Sequence, residues 1–148
     1  YNKKTVTDMI TDDINKTAVS DRNRQMFLMI LDIDNFKSVN DSYGHYFGDE
    51  VIKAFADSLK LSVGGRGIVG RIGGDEFVML IENPVETEIE SMVESVSAAL
   101  QEKNSQGEMP VSSAVGWAEG CGVDVRKIIN EADAKMYENK TRGKECRK

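Results

Sequence analysis

The sequence predicts an α+β domain in which helices pack on a mixed β-sheet. Segments with apolar residues at every third or fourth position alternate with short, solidly apolar segments, which is typical of helices alternating with strands. Two predicted strands, at 66–72 and 76–82, are separated only by Gly73, Gly74 and Asp75 and should form a hairpin. Because the remaining strands are separated by helices, the sheet should combine this hairpin with helical crossovers.

The predicted elements follow each other as helix, strand, helical turn, helix, strand, strand, helix, strand and helix. Periodic apolar residues predict helices at 2–18, at 47–63, from Pro84 onward and at 123–140. Apolar or strand-like segments predict strands at 25–33, 66–72, 76–82 and 109–120. Residues 34–45 are polar and contain an Asn-Asp pair and a glycine, which predicts a loop with one helical turn around Phe36–Val39.

The composition limits the size and the partners of the protein. With 148 residues and no internal repeat, the chain is expected to form one domain, 1–148. A net charge of −6 disfavours nucleic-acid binding. Cys121 and Cys146 form no metal-binding spacing, and such a small number suggests a reducing compartment.

No segment is long and apolar enough to span a membrane, since the longest wholly apolar segment is 26–31. The chain begins with Tyr1 rather than a methionine. We therefore expect an N-terminally truncated, cytoplasmic fragment of a longer protein, and that parent protein could be membrane-anchored.

Four carboxylates stand at two predicted strand ends. Asp32 and Asp34 lie at the C-terminal end of the most apolar strand and should point the same way, and Asp75-Glu76 lie on the hairpin. A single Asp at such a place commonly caps a turn. Converging carboxylates, however, raise each other's pKa unless a cation neutralises them, and such oxygen ligands suit magnesium or manganese together with substrate phosphates. Two such ions could support phosphoryl transfer.

Gly73 and Gly74, which precede Asp75-Glu76, are not explained by fold stability. Glycine weakens a strand and adjacent carboxylates repel each other. The pair Gly73-Gly74 suits a hairpin turn, because both residues can adopt positive φ. Without side chains at 73 and 74, the hairpin could also lie close under a nucleotide while it presents Asp75 to a metal.

Other polar residues each allow two interpretations. Lys37 could contact a terminal phosphate or be a solvated loop lysine. Asn40 and Asp49 could pair with a guanine edge, although forming turns is their commoner role. Lys140 belongs to a basic C-terminal segment that could complement a helix dipole or contact a triphosphate. His45 is the only histidine, which excludes a histidine-based triad or zinc site.

Three blocks of the sequence resemble the GGDEF-domain family of diguanylate cyclases. RIGGDEF at 71–77 carries the intact signature, and DIDNFKSVNDSYGHYFGDEVI at 32–52 resembles the pattern D-[IV]-D-x-F-K-x-x-N-D-x-x-G-H-x-x-G-D. EADAKMYENKTRGK at 131–144 is similar to the ending A-D-x-x-[LM]-Y-x-x-K. The resemblance covers essentially the whole chain and implies a nucleotidyl-cyclase or polymerase-palm-like fold, with a mainly antiparallel sheet flanked by helices.

The resemblance also implies an activity. Two GTP molecules would be joined into cyclic di-GMP with release of pyrophosphate, in a homodimer of domains that each hold one GTP, under the control of an upstream sensory domain. Two magnesium ions, with manganese as an alternative, would be bound by Asp32, the Ile33 carbonyl and Asp75, and Glu76 would be the general base. The implied GTP-binding residues are Phe36, Lys37, Asn40, Asp49, Lys140 and Lys144, with Asn40 and Asp49 at the guanine and the lysines at the phosphates.

The sequence departs from the family pattern in three ways. Lys144 replaces an arginine, which keeps the charge but loses bidentate geometry. The family's product-inhibition motif R-x-x-D falls on Gly64 and Gly67, and the block D-x-L-T-G-L that would precede Tyr1 is missing. Two alternatives therefore stand beside an active cyclase: a module that binds GTP without turning it over, and a cyclase with an altered product, against which Asp49 argues.

Overall fold

The computed structural model describes residues 8, 12, 26–65, 67–82, 85, 87–92, 94–95, 98, 112–120 and 125–145. The elements are β1 (Met26–Ile33), α1 (Phe36–Tyr43), α2 (His45–Val63), β2 (Gly67–Arg71), β3 (Glu76–Glu82), β4 (Ser113–Gly120) and α3 (Val125–Glu145). Residues 87–92 are also helical. The helix predicted at 2–18 lies outside the described residues except for positions 8 and 12, which are helical.

The strands form one antiparallel sheet in the order β2-β3-β1-β4. Strand β1 therefore lies at the centre of the four described strands and pairs with β3 on one side and β4 on the other. Every pairing among the described strands is antiparallel. The α+β class and the mainly antiparallel sheet flanked by helices are confirmed, whereas the parallel pairing that a mixed sheet requires is not found among the described strands.

Strand β1 is buried on both faces, as its solidly apolar sequence predicts. Alternate side chains pack towards α2 and the helical residues 87–92: Phe27, Met29, Leu31 and Ile33. The intervening side chains Leu28 and Ile30 pack towards α3. Full burial of each such side chain stabilises the fold by roughly 1.5–3 kcal/mol. The alternation places the next residue of the second set, Asp32, on the α3 face of the sheet.

Helix α3 lies directly on the sheet because β4 has a glycine beneath it. A Cβ atom at Gly116 would lie 2.1 Å from the Ala132 carbonyl oxygen and 2.1 Å from the Met136 nitrogen. A side chain at that position would therefore push the helix away from the strand. The close approach lets the C-terminal half of α3 reach the end of β1.

The helical turn predicted around Phe36–Val39 is present, but the prediction of a loop for the rest of 34–45 is wrong, because the helix continues to Tyr43 and forms α1 (Phe36–Tyr43). Asn35 makes the turn into the helix with φ 57°, a left-handed conformation that asparagine tolerates better than most residues. Val39 is buried and Phe36 packs against the same core. This tertiary packing stabilises a short helix whose polar composition is typical of a loop.

The prediction of positive φ at the glycine pair is also wrong. Among the described glycines, positive φ occurs at Gly44, Gly64 and Gly65 rather than in the hairpin. The connection runs from Ile72 to Asp75, and the Ile72 N–H donates to the Glu76 carbonyl at 2.9 Å. A four-residue loop is often built around a turn that does not require positive φ, unlike a two-residue loop.

Candidate functional site

Asp32 is the buried carboxylate of the site, with 4% of its surface exposed. It lies one residue before the end of the apolar strand β1 and opposite Glu76 of β3 in the antiparallel register. Burial raises the pKa of Asp32; the hydrogen bond from Lys140 opposes this rise, and the negative charges of Asp75 and Asp34 add to it. The net pKa lies above the ordinary value, so the position disfavours an unneutralised negative charge.

Lys140 supplies a positive charge at this position. Its Nζ atom donates a hydrogen bond to Asp32 Oδ1 at 2.6 Å. Burial by itself lowers the pKa of Lys140, but the hydrogen bond to Asp32 and the charges of Asp32, Asp75 and Asp34 outweigh it. The pKa is raised overall, and the lysine is an ammonium at neutral pH.

The signature turn is attached to the end of β1 and braced by an arginine. The Ile33 N–H donates to the Asp75 carbonyl at 3.0 Å. Arg71 Nε lies 3.1 Å from the Gly73 carbonyl oxygen and 3.2 Å from that of Gly74, and Nη2 also donates to Gly74. Sequence reasoning missed Arg71, although it stands inside the quoted motif RIGGDEF. These bonds hold Asp75 and the following strand in place.

The absence of a side chain at Gly73 leaves space for the Glu76 carboxylate. A Cβ atom at Gly73 would lie 2.7 Å from Glu76 Oε2. A Cβ atom at Gly74 would meet no atom within 4 Å. The two glycines are therefore different: the first leaves space that the Glu76 side chain uses, and the second faces open space.

Asp34 is tied to the start of β4. Its N–H donates to the Ser112 carbonyl at 2.8 Å, and the Ser112 hydroxyl donates to its carboxylate. Among the described residues, no group of three or more His, Cys, Asp or Glu side chains is placed to hold a metal ion. The expected convergence of three or four carboxylates is therefore not found in this part of the chain.

The remaining donors nevertheless fit a magnesium or manganese ion. Asp32, Asp75 and the Ile33 carbonyl offer oxygen ligands only, and sites with few protein oxygens are usual for magnesium when substrate phosphates and water complete the shell. The Asp32 carboxylate already pairs with the Lys140 ammonium, so positive charge is accommodated at this position.

An open cavity of about 630 Å³ adjoins the carboxylates. It is lined by Asp32, Glu76 and Lys140 together with further α3 residues, among them Asn130, Asp133, Tyr137 and Thr141. Sequence reasoning missed the α3 residues, although Asp133 and Tyr137 precede Lys140 at the spacing of one helix face. The cavity makes the buried carboxylate accessible to a bound molecule.

Four of the other predicted GTP-binding residues lie on α1 and α2, and the fifth lies on α3. Phe36 and Asn40 are half-buried on α1, Lys37 is exposed beside them, and Asp49 is exposed in the first turns of α2. Lys144 lies on α3, and its side chain is outside the described residues. Helices α1 and α2 pack on the opposite face of the sheet from α3, whereas Lys140 on α3 lines the cavity.

An antiparallel sheet flanked by helices is the architecture that the sequence resemblance implies, and it carries the pair of Asp32 and Lys140 near the end of its central strand. A family model described as "Diguanylate cyclase, GGDEF domain" matches residues 1–146. The chain therefore belongs to the GGDEF family. No described helix is long and apolar enough to cross a membrane.

The chain is similar to named diguanylate cyclases over part of their length. It is 33% identical over 137 residues to diguanylate cyclase DgcS of Shewanella oneidensis, which covers 90% of this chain and 46% of DgcS. It is 34% identical over 145 residues to the bifunctional diguanylate cyclase/cyclic di-GMP phosphodiesterase MucR of Pseudomonas aeruginosa, which covers 92% of this chain and 21% of MucR. The chain thus spans less than half the length of these curated relatives.

A solved structure has the same fold. The GGDEF domain of DgcB from Caulobacter crescentus, in complex with c-di-GMP, superposes with a TM-score of 0.81 at 26% identity. The superposition covers 96% of this chain and 86% of the DgcB chain. The match extends the family relationship from the sequence to the arrangement of strands and helices.

Proposed function

We propose that this chain is a diguanylate cyclase domain, which condenses two GTP molecules into cyclic di-GMP. One observation carries the proposal: Asp32, near the end of the central strand, lies opposite Glu76 of the intact signature and accepts a hydrogen bond from Lys140 beside an open cavity. Membership of the GGDEF family and similarity to named cyclases support the same activity.

The chemistry is an in-line displacement carried out twice. The 3′-hydroxyl oxygen of one GTP attacks the α-phosphorus of the other, the bond between the α-phosphorus and the bridging oxygen breaks, and pyrophosphate leaves. Glu76 accepts the hydroxyl proton, since it lines the cavity beside Asp32. A second attack in the opposite direction closes the ring and releases the second pyrophosphate.

Asp32, Asp75 and the Ile33 carbonyl would hold two magnesium ions, or manganese ions, in each site. Bound there, such ions supply charge that acidifies the attacking hydroxyl and neutralises the leaving pyrophosphate. Lys140, with Lys37 and Lys144, binds the β- and γ-phosphates. Asn40 and Asp49 bind the guanine, and Phe36 packs beneath the nucleotide.

Catalysis requires two domains facing each other, because each holds one GTP. A homodimer is therefore the active form, and GTP is the substrate of each half. Since the chain spans less than half of its named relatives, an upstream sensory or regulatory domain in a longer parent protein would set the dimer. The domain itself is proposed to be cytoplasmic and to bind no nucleic acid, consistent with its net charge of −6.

The test is mass spectrometry of the nucleotides formed from GTP and magnesium by concentrated protein. Asp75→Ala and a version dimerised through an N-terminal leucine zipper are measured in parallel. We expect cyclic di-GMP from the protein or its dimerised version and none from Asp75→Ala. Absence of product from the dimerised protein, with GTP bound, would exclude the cyclase.

A module that binds GTP without turnover is the second candidate. Lys144 favours it, because a lysine cannot make the bidentate phosphate contact of the arginine found at this position in the family. Restoring the arginine by Lys144→Arg separates the two candidates. Product formed only by Lys144→Arg would assign the unaltered chain to the non-catalytic class.

A further inference from the structure

We infer that Gly48 is a specificity-determining positioning residue, which sets the Asn40 amide in place to read the base. Gly48 is buried in the first turns of α2, immediately before Asp49. A Cβ atom built there would lie 1.9 Å from Asn40 Oδ1, 3.0 Å from Asn40 Cγ and 3.3 Å from Phe36 Cζ. The Asn40 amide therefore occupies the space that any larger residue at 48 would need.

Backbone hydrogen bonds restrain the chain around Asn40, and they do not depend on which side chain stands at position 48. The Gly44 N–H donates to the Asn40 carbonyl at 2.9 Å, and Gly44, with φ 83°, turns the chain from α1 into α2. The Gly48 N–H donates in turn to the Gly44 carbonyl at 3.2 Å. With the backbone held, the position of the Asn40 amide depends on the side-chain space that Gly48 leaves.

The inference rests on the proposed function, in which Asn40 and Asp49 together contact guanine. An amide offers a donor and an acceptor, and a carboxylate offers acceptors, so their relative position selects one base edge. Because Gly48 contacts Asn40 and is adjacent to Asp49 in the chain, one residue sets the spacing of both. A side chain at position 48 would displace the Asn40 amide and leave the Asp49 carboxylate in place. Guanine recognition would weaken although both guanine-binding residues remain.

Helix stability alone predicts the opposite preference at position 48. Alanine is favoured over glycine inside a helix, because glycine loses more backbone freedom on folding. The two closest atoms belong to the end of the flexible Asn40 side chain, which can move away, and Phe36 Cζ at 3.3 Å has to yield by only a few tenths of an ångström. Gly48→Ala should therefore fold normally and change ligand binding.

The experiment is a double-mutant cycle read by calorimetric binding of α,β-methylene GTP and α,β-methylene ATP, whose α–β bridge cannot be cleaved. Gly48→Ala, Asn40→Ala and the double variant are compared with the unaltered chain, and each is checked by thermal unfolding. We expect Gly48→Ala to weaken binding of the GTP analogue about tenfold and to reduce the preference over the ATP analogue. It should leave the unfolding temperature unchanged or higher.

The cycle tests the route through Asn40. In the Asn40→Ala background the clashing amide is gone, so Gly48→Ala should cost no further affinity. Equal losses from Gly48→Ala in both backgrounds, or unchanged binding in Gly48→Ala when Asn40→Ala is weakened, would overturn this inference alone. Unchanged binding in Asn40→Ala would overturn both the guanine-reading assignment and the role of Gly48.

Discussion

Lys140 Nζ lies 2.6 Å from Asp32 Oδ1, which pairs the last helix with the end of the central strand. The aspartate side chain is 6% exposed and the lysine side chain 27% exposed. The two groups that the proposed mechanism assigns to metal and phosphate therefore hold each other. This contact leads to the first two predictions.

Lys140→Met should weaken nucleotide binding and strengthen binding of a metal alone. In the proposed mechanism the Lys140 ammonium binds the triphosphate. In the free protein it donates a hydrogen bond to the Asp32 oxygen that would otherwise coordinate a metal cation. We expect affinity for α,β-methylene GTP to fall about tenfold, as for loss of one charged hydrogen bond. Calorimetric titration with Mn²⁺, without nucleotide, should show tighter binding than in the unaltered chain.

Lys135→Met is the matched control for this charge removal on α3. Lys135 Nζ lies 4.7 Å from the centre of the Trp117 ring and contributes a cation–π contact instead of pairing with Asp32. Its replacement should leave both affinities unchanged. Equal effects of the two substitutions would show that net charge on α3, rather than the contact with Asp32, controls binding.

Asp32→Asn should abolish activity and stabilise the fold at neutral pH. A raised carboxyl pKa means that the folded protein binds this proton more tightly than the unfolded chain does. The resulting stability is present below the ordinary pKa of 3.8 and is lost as the pH rises through the higher folded-state pKa. The neutral amide avoids this loss, and activity should fall at least about a hundredfold.

Urea unfolding of both proteins between pH 3 and pH 8 measures the effect of Asp32→Asn. The variant should have the higher free energy of unfolding at pH 7, and the difference should shrink as the pH falls towards 3.8. A variant less stable than the parent at pH 7 would mean that the bond to Lys140 outweighs the burial of Asp32.

Arg71→Met should lower kcat more than it weakens GTP binding. The guanidinium braces the carbonyls of Gly73 and Gly74 and touches neither Asp32 nor the cavity. Its loss frees the turn that positions Asp75 and Glu76, and we expect kcat to fall about tenfold with the affinity for α,β-methylene GTP nearly unchanged. Steady-state kinetics and calorimetry measure the two quantities.

Arg71→Lys is the informative companion substitution. A lysine retains the positive charge but cannot reproduce the planar fork that reaches two carbonyls. It should therefore lose nearly as much kcat as Arg71→Met. Full activity in Arg71→Lys would show that charge near the turn, and not the geometry of its bonds, is what matters.

Cyclic di-GMP should not inhibit the enzyme through the R-x-x-D motif of the family. Gly64 and Gly67 stand at its two charged positions, so addition of product in excess should leave the initial rate unchanged. Grafting the motif should also fail. Gly64 has φ 56°, where a side chain costs about 1–2 kcal/mol, and a Cβ at Gly67 would lie 1.8 Å from the Leu80 carbonyl oxygen.

Thermal unfolding of Gly64→Arg/Gly67→Asp measures that incompatibility. We expect the double substitution to lower the unfolding temperature, with Gly67→Asp contributing more because a backbone atom must move. Inhibition of the unaltered chain by product at low micromolar concentration would show that another surface provides feedback.

Much of the sheet and its burial could be predicted from local sequence. The apolar run of β1 indicated burial on both faces, and the spacing of apolar residues in α2 indicated its core face. The loop prediction at 34–45 failed because α1 is stabilised by packing of Val39, which local polarity does not reveal. The prediction of positive φ at Gly73 and Gly74 was wrong because the turn has four residues instead of two.

The sequence by itself determined the family, the intact signature and the strand that carries Asp32, because these depend on residue identity and short-range periodicity. Tertiary structure decided which charges meet. Asp32 and Lys140 are separated by 108 positions, and their contact exists because the register of β1 turns the aspartate towards α3 and Gly116 lets that helix lie on the sheet. No local sequence pattern specifies the distance between these two side chains, because that distance depends on how closely the helix and the sheet pack.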